Sequence, residues 1–305
     1  MPALQFLFLK SYVHGSIQLR DKSGDRPGAR VCDRAAEGRV SKKVLVLGGG
    51  IAGMQAALTA ARRGHAVTLV EKSCRLGGIL LCEAKVPFKK HLHEYIENQV
   101  RRVEEAGINV LLNTSLTPQQ AEEMGADVII AAIGSDPVTP PIPGVDGENV
   151  IYAQYAYTHT DELDGRTVIL GGGLVGVELG IFLKNMGKDV AVIEMADKLN
   201  CGDNMVHEMG VFAEIRRIGL ETHTSAKVMK IEVGGVTCLC PDGEVFFSAD
   251  HVVIAAGMKG RQNEAAAFAQ AAPLFYQVGD CLAAKNIYEA NRLAFNAAME
   301  LGTRW

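Results

Sequence analysis

The chain has 305 residues, 48% of them hydrophobic and 22% charged, enough for two domains with buried cores. A formal charge of −4 and only 6% aromatic residues supply neither a basic face nor a stacking platform, so no nucleic acid and no membrane surface is expected as a partner. The seven cysteines (32, 74, 82, 201, 238, 240 and 281) include no C-x-x-C pair and no ligand spacing for zinc or iron–sulfur, so no metal is expected and the thiols read as reduced, in a cytoplasmic protein.

In chain order, the apolar run from Leu4 to Leu9 is too short to span a membrane, and no basic segment precedes it. Residues 1–41, with the breaker-rich stretch Ser23 to Arg30, read as a linker or disordered tail. From Lys42 the pattern changes. Val44 to Leu47 is an apolar run without polar alternation, as in a parallel strand covered on both faces. Gly48-Gly49-Gly50-Ile51-Ala52-Gly53 then satisfies G-x-G-x-x-G at a strand-to-helix turn. The first glycine permits the tight turn, the second lets the backbone approach a pyrophosphate, and the third brings helix and strand together. The helix N-terminus offers free N–H groups to the anion. The helix ends at Gly64, and a second apolar run closes on Glu71, where a carboxylate can accept from ribose hydroxyls. Lys72 and Arg75 follow, as reach toward phosphate or adenine or as plain surface charge. The stretch KKHLHEYIENQ, from Lys89 through His91 and His93, reads as the solvated face of a helix. Val128 to Gly134 is another buried strand, and Pro137 to Gly147 a junction rich in breakers.

Thr167 to Glu194 then repeats Val44 to Glu71 without a gap. Gly171-Gly172-Gly173-Leu174-Val175-Gly176 takes the place of the first glycine cluster, Gly187 that of Gly64, and Glu194 that of Glu71. Each copy is a βαβ unit whose crossover should be right-handed. Two dinucleotide sites in one chain point to redox chemistry, because a nicotinamide can pass hydride to a flavin. Beyond the repeat, Val228 to Asp250 reads as a small antiparallel region, with Cys238-Leu239-Cys240 entering a tight turn at Pro241-Asp242-Gly243. Val252 to Gly257 echoes the earlier strand that ends at Gly134.

From Lys42 onward the sequence resembles the two-dinucleotide-binding-domain flavoproteins. Within them it is most similar to the C-terminal half of the NADH:flavin oxidoreductases of the 2,4-dienoyl-CoA reductase, trimethylamine dehydrogenase and enoate reductase type. Besides the two glycine motifs, the matching stretches are Leu76-Gly77-Gly78, Ala132-Ile133-Gly134-Ser135-Asp136-Pro137, Pro141-Ile142-Pro143-Gly144, Asp250 to Gly257, and Gln277-Val278-Gly279-Asp280. The resemblance implies an α/β fold of two nested Rossmann-like, doubly wound, three-layer domains. FAD-binding residues would lie in 42–150 and 258–305, and the NAD-binding domain would be inserted at 151–257. It assigns Gly48, Gly50, Ile51, Ala52, Gly53, Glu71, Lys72, Gly77, Gly78, Ala132, Gly134, Gly279 and Asp280 to FAD, with Asp280 on the ribityl chain. Gly171, Gly173, Leu174, Val175, Gly176, Glu178, Glu194, Ala256 and Gly257 fall to NAD(H). Glu178 would lie near the nicotinamide, or else on an ordinary helix surface. The helix from about Tyr288 would return to the flavin.

In full-length relatives an FMN-binding (β/α)8 barrel and a four-cysteine iron–sulfur segment precede this region. Such a barrel needs ~250 residues, whereas 41 residues with one cysteine, Cys32, precede Lys42 here. No FMN and no iron–sulfur cluster is therefore expected within this chain. The expected function is an NADH-dependent FAD oxidoreductase whose electrons go to an external acceptor, or to a protein partner carrying the FMN or substrate site. No constellation of catalytic side chains stands out, as suits cofactor chemistry. Two rival readings remain: a free-standing reductase of the ferredoxin or rubredoxin kind, and a non-catalytic dinucleotide-binding remnant. Glu194, followed by Met195-Ala196-Asp197-Lys198 with no arginine, predicts NADH over NADPH.

Overall fold

A computed structural model describes residues 40–202 and 204–302, so the tail read as linker or disorder lies, but for its last two positions, outside the described residues. In chain order the elements begin with β1 (Lys43–Leu47), α1 (Ile51–Arg62), β2 (Ala66–Val70), α2 (Lys90–Glu105), β3 (Asn109–Leu111), α3 (Pro118–Glu123), β4 (Val128–Ala131) and β5 (Ser135–Pro137). Next come β6 (Val150–Tyr152), α4 (Ala153–Thr158), β7 (Arg166–Leu170), α5 (Leu174–Asn185), β8 (Asp189–Ile193), α6 (Met205–Ile218) and β9 (Glu221–His223). Three antiparallel strands follow, β10 (Lys227–Glu232), β11 (Gly235–Cys240) and β12 (Gly243–Ser248). The chain closes with β13 (His251–Ile254), β14 (Met258–Gly260), α7 (Gln262–Ala266), β15 (Leu274–Gln277) and α8 (Ile287–Glu300).

The chain divides into two compact units. The flanking unit holds residues 40–81, 91–136 and 259–302, and the inserted unit holds 82–90 and 137–258. The crossing at Pro137 falls in the breaker-rich stretch. The short strap 82–90 belongs to the inserted unit although chain of the flanking unit precedes and follows it.

Each unit is built on a five-stranded parallel sheet, ordered β15-β4-β1-β2-β3 in one and β6-β13-β7-β8-β9 in the other. The first strand of each repeat therefore takes the same central place, and strand order reverses beside it, the topological position where α/β sheets bind nucleotides. In the flanking unit, Val44 and Val46 pack with Met54, Leu58, Ile96 and Ala294, while Leu45 and Leu47 pack on the opposite face with Ile129 and Phe268. Burial on both faces is why the run lacks polar alternation. In the inserted unit, Val168 and Leu170 pack with Ile231, Val236 and Cys238 of the antiparallel strands. The architecture is the expected α/β, doubly wound one.

The C-terminal helix α8 packs along α1 through Ala290, Ala294, Ala297 and Ala298, small residues that let the helices approach closely. Its end is fixed by Arg63, a buried side chain whose Nη2 donates to the Leu301 carbonyl at 2.6 Å. A hydrogen bond from a charged donor is worth about 1.5–3 kcal/mol. Arg63→Met should lower unfolding stability by about that amount, read as a fall in the urea midpoint with an unchanged m-value.

Candidate functional site: two glycine-turn sites and a buried ion cluster

In the flanking unit, Gly48 has φ +100°, a conformation that L side chains rarely adopt, and a Cβ there would overlap the Ala132 carbonyl oxygen. A Cβ on Gly53 would overlap the carbonyl oxygen of Gly48, and one on Gly49 would press on Leu76 and on Glu71 Oε2. These three glycines are required by the fold itself. Gly50 is not. Its φ of −73° suits any residue, and the nearest atom to its missing Cβ is Gly78 Cα at 3.9 Å. Gly173 repeats this in the inserted unit, with φ −74° and nothing within 4 Å of its missing Cβ. There Gly171 (φ +120°) lies under the Ala255 carbonyl, Gly176 under that of Gly171, and a Cβ on Gly172 would meet Leu199 at 2.5 Å. In both copies the second motif glycine leaves a cradle that no protein atom fills. In a G-x-G-x-x-G turn the second glycine is the one that lets a backbone approach a pyrophosphate.

The helices α1 and α5 begin at these glycines with no side-chain cap, whereas Thr117, Asn204 and Asn286 cap α3, α6 and α8. Their first-turn N–H groups therefore stay open to an anion. Ile51 and Ala52 open α1 and are buried; Leu174 and Val175 open α5, with Val175 exposed.

The two acids occupy equivalent positions. Glu71 Oε2 accepts from the Gly49 N–H (2.6 Å), and its Oε1 accepts from the Ser73 N–H (2.8 Å) and hydroxyl (2.6 Å). Glu194 Oε2 accepts from the Gly172 N–H (2.6 Å) and its Oε1 from the Ala196 N–H (2.7 Å). Both are oriented by backbone N–H groups, and each carboxylate keeps further acceptor capacity. Lys72 beside Glu71 is exposed. The correspondence runs on past the acids. Leu76 and Leu199 pack against Gly49 and Gly172, and Gly77 and Asn200 donate to the carbonyls of Gly49 and Gly172, both at 2.9 Å. Gly78, at φ +66°, stands so close to Gly50 that a Cβ would lie 2.9 Å from its Cα.

The late glycine–aspartate pair joins the first site. Gly279 (φ +66°) sits against Ala52, its missing Cβ 2.6 Å from that of Ala52. Asp280 follows on a 3-10 turn, its carboxyl pushed up by burial against the pull of the Lys285 N–H and the Ser135 hydroxyl. Ala132 N–H donates to Leu47 O at 2.7 Å, beside the start of the motif, and Gly134 (φ +79°) is open. In the inserted unit Ala256 and Gly257 are exposed just beyond β13.

Glu178 lies inside the inserted unit, its side chain only 2% exposed, which overturns the helix-surface alternative. Lys89, read in the sequence as part of a solvated helix face, is likewise buried: its Nζ lies 2.5 Å from Glu178 Oε2 and 2.7 Å from Glu83 Oε1. It precedes α2, at the end of a short 3-10 turn, Pro87–Lys89, so its side chain does not share that helix's face. His91 behaves as expected, pairing with Glu94 at a partly exposed site. Tyr157 from α4 places its ring 5.6 Å from Lys89 Nζ, and His207 Nε2 from α6 lies 3.6 Å from Glu178 Oε1. Burial, with Glu178 nearby, pushes the Glu83 carboxyl up while Lys89 pulls it down. Burial with Glu83 beside it raises the Cys82 thiol to about 12, so it is no thiolate at neutral pH. Among the described residues no group of histidines, cysteines or acids is arranged to hold a metal ion, and no helix is long and apolar enough to cross a membrane.

The family model for pyridine nucleotide-disulphide oxidoreductases matches residues 42–285. An NADH oxidase of Thermoanaerobacter brockii is 34% identical over 233 residues, covering 74% of this chain and 35% of that protein. A cinnamate reductase of Clostridium sporogenes is 30% identical over 263 residues, covering 85% of this chain and 39% of that protein. Among solved structures, a 2-naphthoyl-CoA reductase in complex with 2-naphthoyl-CoA superposes with a TM-score of 0.81 at 29% identity, covering 87% of this chain and 40% of that one. The chain thus spans well under half the length of these relatives.

The glycine geometry separates two kinds of variant. Were a flavin diphosphate to occupy the Gly50 cradle, Gly50→Val should abolish its retention while leaving the thermal midpoint of the flavin-free protein near wild type, because the nearest atom to the missing Cβ, Gly78 Cα, is 3.9 Å away. Gly53→Ala should lower that midpoint itself, because its Cβ has nowhere to go. Absorbance of bound flavin and thermal melts of both apoproteins check the pair.

Proposed function

The chain belongs to the pyridine nucleotide-disulphide oxidoreductase family, and from that premise we propose that it is an NADH-dependent FAD oxidoreductase module. The observation that carries the proposal is the pair of unfilled cradles at Gly50 and Gly173, one per unit, each under an uncapped helix and beside an oriented acid. FAD is assigned to the flanking unit because Gly279 packs there against Ala52 of α1 with Asp280 following it, and NAD(H) to the inserted unit. Held there, a nicotinamide and a flavin would supply hydride-transfer chemistry, two electrons passing with each hydride. The protein's part is to bind and orient. Helix termini hold the diphosphates, Glu71 and Glu194 hold the riboses, and Glu178 with Lys89 sits one turn along α5 from the glycine turn.

The acceptor is proposed to be external: a small molecule, or a partner or further segment carrying the FMN and substrate site of an enoate or 2,4-dienoyl-CoA reductase-like enzyme. The names of the cinnamate and 2-naphthoyl-CoA reductases favour that class. Direct disulfide reduction is disfavoured by the Cys82 thiol, raised to about 12, and by the absence of a C-x-x-C pair. Anaerobic titration of the FAD-reconstituted protein with NADH should bleach the flavin band stoichiometrically. A protein that binds FAD yet shows no bleaching is the non-catalytic remnant instead.

NADH should be preferred over NADPH. The Glu194 carboxylate, held by two backbone N–H groups, would meet a 2′-phosphate with like charge. Interactions with a charged group are worth about 1.5–3 kcal/mol, or roughly a tenfold to hundredfold preference. Flavin reduction rates with both nucleotides should show that ratio in wild type and a collapse of it in Glu194→Ser. Equal wild-type rates would take Glu194 out of the site.

A further inference from the structure

In the flanking unit a row of hydrogen bonds runs in one direction and ends on a buried amide. Arg102 Nη1 donates to Gln99 Oε1 at 2.8 Å, and Gln99 Nε2 donates to the Tyr95 hydroxyl at 2.8 Å, all three on α2. The amide of Asn291, on α8, meets the same hydroxyl at 3.1 Å. Gln99 and Asn291 are only 3% and 5% exposed, so their polar atoms need partners on the protein or on something it binds.

The first two links have one possible sense. A guanidinium accepts nothing, so it fixes the Gln99 oxygen toward Arg102 and the Gln99 N–H groups toward Tyr95. The Tyr95 oxygen then keeps one lone pair and its own proton. Burial pushes the Tyr95 phenol up, which holds that proton in place. With Asn291 Nδ2 against the hydroxyl, the phenol proton has no acceptor among the described residues, and Asn291 Oδ1 is buried without a partner. Turning the amide about its last bond exchanges oxygen and nitrogen within one outline. Tyr95 then donates to Asn291 Oδ1, and both losses disappear together. What remains is the Asn291 NH2 group, in the place where Oδ1 stood unpartnered. Hydrogen bonds in such a row polarise one another, and a cation heads this one.

The bond between Tyr95 and Asn291 joins two elements that border the first glycine turn. Tyr95 precedes Ile96, whose side chain is 3.1 Å from the missing Cβ of Gly77, and Gly78 stands against Gly50. Asn291 follows Ala290, whose Cβ is 3.9 Å from the missing Cβ of Gly279, and Gly279 stands against Ala52. We propose that Asn291 is a ligand-binding residue of this first dinucleotide site. Its side-chain NH2, aligned by Tyr95, Gln99 and Arg102, donates to an oxygen of bound FAD. Carbonyl oxygens of the flavin ring and oxygens of the diphosphate offer the same acceptor chemistry.

This inference rests on the reading of the 48–53 turn as the FAD site, and the experiment keeps the two apart. Asn291→Leu exchanges an orphan amide for an orphan phenol proton, so the thermal midpoint of the flavin-free protein should stay near wild type. The FAD dissociation constant should nevertheless rise about tenfold. ADP is the second probe. A rise confined to FAD puts the accepting oxygen on the flavin half, and a rise for both puts it on the diphosphate. An unchanged FAD constant overturns the proposal while the FAD reading stands. A wild type that binds no FAD removes that reading, and the proposal with it. The side-chain amide protons of Asn291, identified by their loss in the variant, should also move downfield in proton–nitrogen correlation spectra when FAD is added. Protons that FAD does not move belong to an amide holding a structural water only, and overturn the proposal. Should Asn291→Leu fail to fold, Tyr95→Phe decides. It removes the hydroxyl that aligns the amide, so the FAD constant should rise, and a constant equal to wild type overturns the proposal.

Discussion

In each unit a helix leaves a strand so closely that no Cβ fits between them. Gly53 faces the carbonyl of Gly48, and Gly176 that of Gly171, with the missing side chains replaced by backbone. A core packs to the density of an organic crystal, so this approach fixes where the helix begins relative to the sheet. The turn must then bend sharply, which places Gly48 and Gly171 at positive φ beneath the carbonyls of Ala132 and Ala255. The opened helix end is the product of that compression.

The acids at the second strand's end extend the same constraint. Glu71 and Glu194 each grip the N–H of the middle glycine and an N–H two residues beyond themselves. A side chain on Gly49 or Gly172 would push the acid away, and Leu76 or Leu199 with it. Turn, acid and buried leucine thus hold one another, and the carboxylate is oriented by the fold itself.

Much of this was legible in the sequence, because glycine spacing and an ungapped repeat report local backbone geometry. The strands around Val44, Val128, Val168 and Val252, the helix ends at Gly64 and Gly187, and the antiparallel strands near Cys238 all follow from local pattern. The continuation of the repeat to Leu76 and Leu199 was missed. The sequences between the acids and those leucines differ, and only a shared place under a glycine relates them. Lys89 and Glu83 were illegible for a deeper reason. A lysine opening a charged run reads as solvated, and what buries it is an acid on α5, far along the chain. Long-range charge compensation leaves no periodic trace.

The two copies differ at one telling position. Two residues past the third glycine, the first copy has Gln55, a neutral side chain that donates to Thr59 Oγ1 at 2.9 Å. The second copy has Glu178. A carboxylate there sits in the second turn of the helix, where, left alone, it would draw on the same positive end that any anion at the N-terminus would use. The copy carrying the acid is also the copy into which the strap 82–90 brings a lysine, and with it a second acid. A neutral helix would bind a diphosphate without any of these groups. A buried ion cluster is kept here where an apolar contact of similar volume is often as stable, and it is the return of the strap into the inserted unit that brings Lys89 and Glu83 to Glu178.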